Sequence, residues 1–560
     1  MWILSINRTH DSSICLMDDD NIVIHLQEER LTHMKHCDEV INCLQLIKNY
    51  TDCLDLISFS TLHNNQYDFN VYINLLIFFN IKYKRIVFHH KVHHLLHSYC
   101  AFYNSGFEDV VSLVIDGAGS DADYGKENES IITHSFPNKF KNEYKTCINL
   151  PSIPIKKDSP NFVKNNRFGV GMVYTAVTQY FGFKSLDCGK TMGLSSYGVE
   201  DENIKSMINE NGGREELFSL MSFKTSDYTH ENVSLKFKEY DYLLHYKNEE
   251  DKFRKQANLA YKLQKEFEDY IYNMILYAVK ITGKKNVVYS GGCALNCAAN
   301  YRILKRLPKD INLYIEPISS DAGITIGSCK SSYYDNLVRT FNYNKTNPNK
   351  LNTLYLGQKI KYNYSLNTNE TESNVTAKKV AELITKGNIV AICQGRSESG
   401  PRALGNRSIL FDPRVKDGRE IVNKVKKREW WRPFAGTVLL EHAKEWFDMD
   451  RLEESPHMMY AVDVWENKRY LIPNITHVDG TCRIQTLRKE YNTNYYELIE
   501  EFYKLTNVPI LFNTSFNLAG DTIVETIEDA FNTLRNSEIE YMYLPEIGKL
   551  IYIPNENGIC

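Results

Sequence analysis

Three short apolar runs, each ending in a turn rich in Gly, Asp or Asn, constrain this chain more than any other feature. Trp2 to Ile6 runs into the polar turn Asn7–Ser13, and apolar character resumes at Ile14 to Leu16 and again at Ile22 to Ile24. Val110 to Ile115 ends at Asp116-Gly117-Ala118-Gly119, a tight turn that uses glycine φ freedom. Asn286 to Tyr289 runs into Ser290-Gly291-Gly292, after which Ala294 to Leu304 has helical periodicity. Strand ends of this kind, spread over some 300 residues, predict an α/β domain whose phosphate-handling loops come from separate strand ends.

At 560 residues the chain exceeds one core, and about 150 residues per domain predicts several units. The segment 342–374 is rich in Asn, Thr and Lys and reads as a linker. After it come an amphipathic helix pattern (Ala377 to Lys386) and a strand (Asn388 to Ile392). The division expected is therefore 1–350, a linker 351–375, and 376–560. Residues 200–260 are charged and short of turn signals, with helix expected after Lys252 and no role assigned to 200–252. No repeat of 20–50 residues stands out.

Apolar runs such as 74–79 fall far short of the roughly 20 residues that span a bilayer, so no membrane partner is expected. Met1 leads into WILSI without a basic n-region, so no secretory signal is expected. Thirteen cysteines without a CxxC pair read as reduced thiols in a cytoplasmic protein. A net charge of -4 excludes a globally basic nucleic-acid binder. Sparse Gly and Pro beside 37 Tyr and many Asn, Lys and Ile indicate AT-rich codons.

His89, His90, His93, His94 and His97 place five of the 16 histidines within nine residues. His93 and His97 are i and i+4, so on a helix they share a face and can share a metal. Asp116 at a strand end and Asp321 in the turn Ser320-Asp321-Ala322-Gly323 are candidate oxygen ligands; two nitrogens and carboxylates suit Zn or Fe(II). A zinc-protease HExxH is absent, since position 94 is His and position 95 Leu. The alternative is a surface helix with satisfied histidines. His10, in the turn with Asp11, is a candidate general base, although a polar hairpin turn explains it equally well. Ser290-Gly291-Gly292 at a strand–helix junction lets amides approach a phosphate or nucleoside.

The second half concentrates arginines between rigid residues. Gln394 to Arg407 holds Arg396, Arg402 and Arg407, and Lys424, Lys426, Lys427, Arg428 and Arg432-Pro433-Phe434 follow. The segments His477 to Arg483 and Asn513-Thr514-Ser515-Phe516-Asn517 add Arg483, hydroxyls and amides. Guanidinium forks match phosphate and carboxylate oxygens, so a second, anion-binding pocket is expected.

Taken together, these segments resemble the O-carbamoyltransferase family of nodulation and antibiotic-tailoring enzymes, such as the tobramycin carbamoyltransferase. The resemblance runs in order through His10-Asp11-Ser12, the run ending at Lys35, His93 to His97, Asp116-Gly117 and Gly189-Lys190-Thr191-Met192-Gly193. It continues through Gly291 to Asn296, Gly400 to Ser408, Arg432 to Ala435 and Asn513 to Asn517. It implies an N-terminal actin-like (ASKHA) ATPase-type domain and a YrdC-like α/β domain. It also implies ATP, carbamoyl phosphate and Fe(II) or another divalent metal, with Mg a further candidate. His93, His97, Asp116 and Asp321 would hold the metal. His10, with Asp11 and Lys35, would form the catalytic group. Lys35, Gly171, Lys190, Gly291, Gly292 and Asn296 would hold the adenylate. Arg402, Arg407, Arg432, Arg483, Asn513, Ser515 and Asn517 would hold carbamoyl phosphate and nucleotide.

Ser397, Ser399 and Gly436-Thr437 depart from the family's usual residues. The acceptor expected is a hydroxyl-bearing small molecule, a sugar, or a hydroxymethylated nucleotide or DNA base such as hydroxymethylcytosine, and a homodimer stays open. The competing readings are an actin-fold metabolite kinase and a non-enzymatic nucleotide-dependent scaffold.

Overall fold

The computed structural model describes residues 1–61, 69–122, 125–148, 162–165, 168–210, 212–213, 245–340 and 347–554. Most of the charged stretch 200–252 lies outside them. The chain divides into two compact units. The first comprises Met1–Ile22 and Asp38–Leu351, the second Val23–Cys37 and Asn352–Cys560.

In the first unit the same strand arrangement occurs twice. Strands β1 (Trp2–Arg8) and β2 (Ser13–Asp18) form an antiparallel pair, and β3 (Leu56–Thr61) and β4 (Ile86–His90) add to β1 in parallel, giving β2-β1-β3-β4. Strands β5 (Asp109–Ile115) and β6 (Gly125–Ser135) are likewise antiparallel. Here β7 (Asn286–Ser290) and β8 (Asn312–Ile315) add to β5 in parallel, giving β6-β5-β7-β8. The α/β expectation holds, and the strand arrangement of the first unit is repeated. Ile3, Leu4, Ile6, Val111, Leu113 and Val288 are all fully buried, as strands covered on both faces demand.

Helix α1 (His93–Ser105) packs on α2 (Ile324–Arg339) through Leu96, Tyr99, Ile324 and Tyr334. Leu96 and Ile324 each contribute about 1.5–3 kcal/mol on full burial. That packing sets where the first turn of α1, and with it His93 and His97, sits relative to β5.

The second unit is built on one ten-stranded sheet. Its strands are β9 (Thr371–Asn374), β10 (Val390–Cys393), β11 (Arg407–Phe411), β12 (Ala435–Leu439) and β13 (Phe447–Asp448), then β14 (Ala461–Val464), β15 (Thr481–Leu487), β16 (Ile510–Ser515), β17 (Tyr541–Leu544) and β18 (Lys549–Tyr552). Their spatial order is β9-β18-β17-β10-β11-β16-β12-β15-β14-β13. The helices Thr493–Thr506 and Ile527–Arg535 supply buried faces, including Leu498, Phe502, Ala530 and Leu534.

Two boundaries differ from the sequence expectation. Val23–Cys37 belongs to the second unit because its polar groups bond there. Arg30 Nη2 donates to Gly400 O at 2.8 Å, Gly400 N to Gln27 Oε1 at 3.1 Å, and His25 Nδ1 meets Ser399 Oγ at 3.0 Å. The expected linker 351–375 is a packed segment over its first ten residues. Leu354, Leu356 and Ile360 are buried, and Gly357 N and Ile360 N donate to Ser397 O and Gly395 O. Residues 341–346 of the Asn/Thr/Lys-rich stretch lie outside the described residues. Among the described residues, no helix is long and apolar enough to cross a membrane.

Candidate functional site

Four side chains from three elements meet in the first unit. His93 opens helix α1 and His97 follows one turn later on the same face; Asp116 sits just past β5, and Asp321 begins a short turn before α2. His93 Nε2 lies 3.2 Å from Asp116 Oδ2 and 3.2 Å from Asp321 Oδ1. His97 Nε2 lies 3.6 and 3.4 Å from the same two oxygens and 3.1 Å from His93 Nε2. The four ligand atoms fall within 4.8 Å of one another. Two imidazole nitrogens and two carboxylate oxygens converging at this range fit a divalent ion such as Zn or Fe(II).

The electrostatics match that donor set. Burial strongly disfavours charge here, yet the facing Asp321 and Asp116 raise His93 to about 10, and His97 is raised as well. Both carboxyls are held well below the ordinary range despite burial, by bonds to and charge on the two imidazoles. One buried and one half-buried carboxylate thus create a negative potential that favours any cation at this point, a proton or a metal.

Asp116 is aimed by backbone. Its Oδ1 accepts from Gly117 N at 2.8 Å and Gly292 N at 3.1 Å, which turns Oδ2 toward the histidines. The glycines expected to handle adenylate therefore have a packing reason too. A Cβ at Gly291 would stand 2.3 Å from Ile115 O, and one at Gly171 2.4 Å from Asp116 O. Asn296 caps the helix Cys297–Arg306 through Ala299 N at 3.0 Å and exchanges bonds with Gln264. Lys190 pairs with Asp187 at 3.1 Å and lies over the Phe183 ring.

His10 stands beside the four-residue group. Its Nε2 is 3.8 Å from Asp321 Oδ2 and its Nδ1 3.4 Å from Asp11 Oδ1. Burial opposes protonation, but Asp11 and Asp321 raise the imidazole to about 10. The histidine cluster therefore divides by role. His94, bonded to Ser130 Oγ at 2.8 Å, is pushed down to about 4 by burial and stays neutral, and burial likewise takes His89 to about 4. Sequence reasoning missed Asn7 and Ser13, which bond across to the turn at Asp321. Their position flanking the His10 turn was the only signal.

In the second unit, cations gather with few carboxylates. Burial depresses Lys426 well below its usual range, and Arg428, Arg432 and Lys35 depress it further. Arg428 is lowered by burial and then by Arg432 and Arg483. Lys426 Nζ bonds Ser515 O and Asn517 Oδ1, while Arg428 stacks on Phe434 at 4.1 Å. Glu429 faces Arg432 at 3.4 Å. Arg483 Nε is buried without a hydrogen-bond partner among the described residues. Like charges crowded around the buried Lys426 call for an anion.

Lys35, Arg432, Arg483, Ser515 and Asn517 thus come together around Lys426 and Arg428, which sequence reasoning named only as part of a basic run. Lys35 belongs to the second unit. Arg402 is half-buried in the loop whose amides Leu404 N, Asn406 N and Arg407 N donate to Glu398 Oε1. Arg407 departs from the expected anion role. It is fully buried, and its fork donates to the carbonyls of Glu525, Gln394, Asn406 and Gly395. Asn513 is likewise interior, donating to Thr437 Oγ1 at 2.9 Å and Gln485 Oε1 at 3.2 Å.

Two family models match this chain. Residues 47–329 match the family described as Carbamoyltransferase N-terminus, and 381–549 match Carbamoyltransferase C-terminus. The nodulation protein NolNO of Sinorhizobium fredii is 29% identical over 95% of this chain and 77% of its own. The 3'-hydroxymethylcephem-O-carbamoyltransferase of Streptomyces clavuligerus is 31% identical over 45% of this chain and 46% of its own. The crystal structure of full-length HypF in its phosphate- and nucleotide-bound form aligns with a TM-score of 0.38 at 15% identity, covering 60% of this chain and 46% of that one. On the family matches, which span most of its length, this chain belongs to the carbamoyltransferases and is an enzyme of the O-carbamoyltransferase family.

Proposed function

We propose that the chain is an ATP-dependent O-carbamoyltransferase working in two steps. In the second unit water hydrolyses carbamoyl phosphate to carbamate and phosphate, and a carbamate oxygen then attacks the α-phosphorus of ATP, giving carbamoyl adenylate and expelling pyrophosphate. The carbamoyl group then passes to an acceptor hydroxyl in the first unit, and AMP leaves. The observation that carries this reading is the contrast between the two centres. The cluster of Lys35, Lys426, Arg428, Arg432 and Arg483 suits phosphate-rich reactants. The group of His10, His93, His97, Asp116 and Asp321 suits proton transfer and a metal.

His93, His97, Asp116 and Asp321 would hold a divalent metal, which would supply positive charge against the negative charge that develops on the transferring group. His10 takes the acceptor proton, with Asp11 orienting its ring. Arg402, Arg432, Arg483 and Ser515 bind the phosphates. Gly171, Lys190, Gly291, Gly292 and Asn296 shape the first unit's pocket. The twelve free cysteines among the described residues fit a reducing, cytoplasmic setting.

A relative whose name states a hydroxymethylcephem acceptor supports a primary alcohol as the receiving group. The AT-rich composition extends this to a 5-hydroxymethylpyrimidine nucleotide or DNA base. The test is incubation with ATP, carbamoyl phosphate and a panel of hydroxymethylpyrimidine nucleotides, hydroxymethylated DNA, hydroxymethylcephem and aminoglycosides, followed by mass detection of the added carbamoyl group. Release of ADP without carbamoyl-phosphate dependence would identify a metabolite kinase. No turnover with any of these would leave the scaffold reading.

A further inference from the structure

The final rung of the β1–β2 ladder pairs Asn7 with Ser13, and both side chains are fully buried. Between them lies the loop that carries His10 and Asp11. An amide and a hydroxyl at a buried ladder end are costly unless each finds a partner, and an apolar pair would fill the same place at no such cost. These two find theirs 314 and 309 residues away. Asn7 Nδ2 donates to Asp321 O at 3.0 Å, and Ser13 Oγ donates to Ala322 O at 2.9 Å. One rung of a hairpin thus grips two consecutive carbonyls of the turn that presents the Asp321 carboxylate.

Further bonds keep the grip local. Asn7 Nδ2 also reaches Thr9 Oγ1 at 3.0 Å and Asp11 O at 3.4 Å, inside the hairpin loop itself. Thr325 Oγ1 sits 3.1 Å from Ser13 Oγ and donates to Ala322 O at 3.0 Å. Asn7 Oδ1 has no partner among the described residues, so the residue serves through its donor.

We infer that Asn7 and Ser13 are positioning residues, a clamp that holds the Asp321 turn against the His10 loop. It fixes the direction of the Asp321 carboxylate toward His93 and His97 and the spacing between His10 and that carboxylate. The inference rests on the reading of Asp321 as a metal ligand. Groups that orient metal ligands without touching the ion typically change affinity by 10–100-fold when removed.

Co(II) binding to the metal-stripped full chain, followed by visible absorption, tests the clamp without any acceptor. Asn7→Ala and Ser13→Ala should each bind Co(II) roughly 10–100-fold more weakly than the parent, with an altered band shape. Ser13→Thr keeps the hydroxyl and should restore parental affinity. Circular dichroism melts identify folded variants, and if Asn7→Ala fails to fold, the Ser13 pair carries the comparison. Parental affinity and spectrum in the folded Ala variants would overturn the clamp. Asp321→Asn is the reference. If it weakens Co(II) binding while the Ala variants do not, the clamp alone falls. If it also binds normally, the metal reading falls and the clamp with it.

Discussion

His10 and His93 approach opposite oxygens of one carboxylate: Asp321 Oδ2 stands 3.8 Å from His10 Nε2, and Asp321 Oδ1 stands 3.2 Å from His93 Nε2. The proposed base and the proposed metal group are therefore electrically linked. Charge drawn from Asp321 toward a cation is no longer available to hold a proton on His10. A bound metal should lower the His10 pKa from about 10, freeing the ring to accept a proton near neutrality.

His93→Ala or His97→Ala removes one of only two nitrogen donors in the group. Each variant should lose its metal and its carbamoyl transfer together. Metal analysis after dialysis, paired with the transfer assay, checks this, and full metal content with full activity in both variants would make the cluster purely structural.

The two half-reactions should separate by unit. Arg483→Ala and Arg402→Ala should each cut pyrophosphate release, with or without acceptor, by at least the roughly 10- to 100-fold that one lost charge-assisted bond implies. His10→Asn should keep pyrophosphate release and lower transfer by about 10²- to 10⁴-fold, as for a lost general base. Equal collapse of both steps in His10→Asn would show that one pocket performs the whole reaction.

Cys293 sits next to Gly292, but burial and the nearby Asp116 charge push its thiol well above the ordinary range. It should be a poor nucleophile at neutral pH. Cys293→Ser is expected to retain turnover, measured as carbamoylated product per minute; loss of turnover in a folded variant would expose a thiol step.

Arg407 should matter to folding rather than to phosphate binding. Arg407→Met leaves several buried carbonyls without donors and should cost about 3 kcal/mol or more. Arg407→Lys, with a single ammonium in place of the fork, should recover little of it. Urea midpoints measure both.

The metal-free chain should have a definite pH profile. His10 and His93 are raised from 6.5 to about 10 in the folded state, so their stabilising contribution is complete below 6.5 and lost as pH rises toward 10. Asp116 and Asp321 are lowered, so their contribution is present above 3.8 and lost in stronger acid. Stability without metal should therefore peak between about 4 and 6.5, and saturating Zn(II) should flatten the decline on the alkaline side. Urea midpoints at pH 5, 8 and 9.5, with and without Zn(II), report it.

Local signals in the sequence determined much of this protein. Apolar runs with glycine turns specified α/β strands, and i, i+4 spacing put His93 and His97 on one helical face. A strand-end Asp116 and a turn Asp321 marked the two carboxylates that the fold brings to the same point. What only the tertiary structure decided were bonds between positions far apart in the chain. Val23–Cys37 looked like first-unit sequence, but Arg30 and Gln27 bond Gly400, some 370 residues on, and no local pattern encodes such a partner. Arg407 and Arg432 looked alike between glycines and prolines, yet the fold surrounds Arg407 with carbonyls and sets Arg432 among other cations. Asn7 and Ser13 read as ordinary turn residues until Asp321 and Ala322 were brought against them. Side-chain type is legible from the chain, but a polar group's role depends on which distant backbone arrives to meet it.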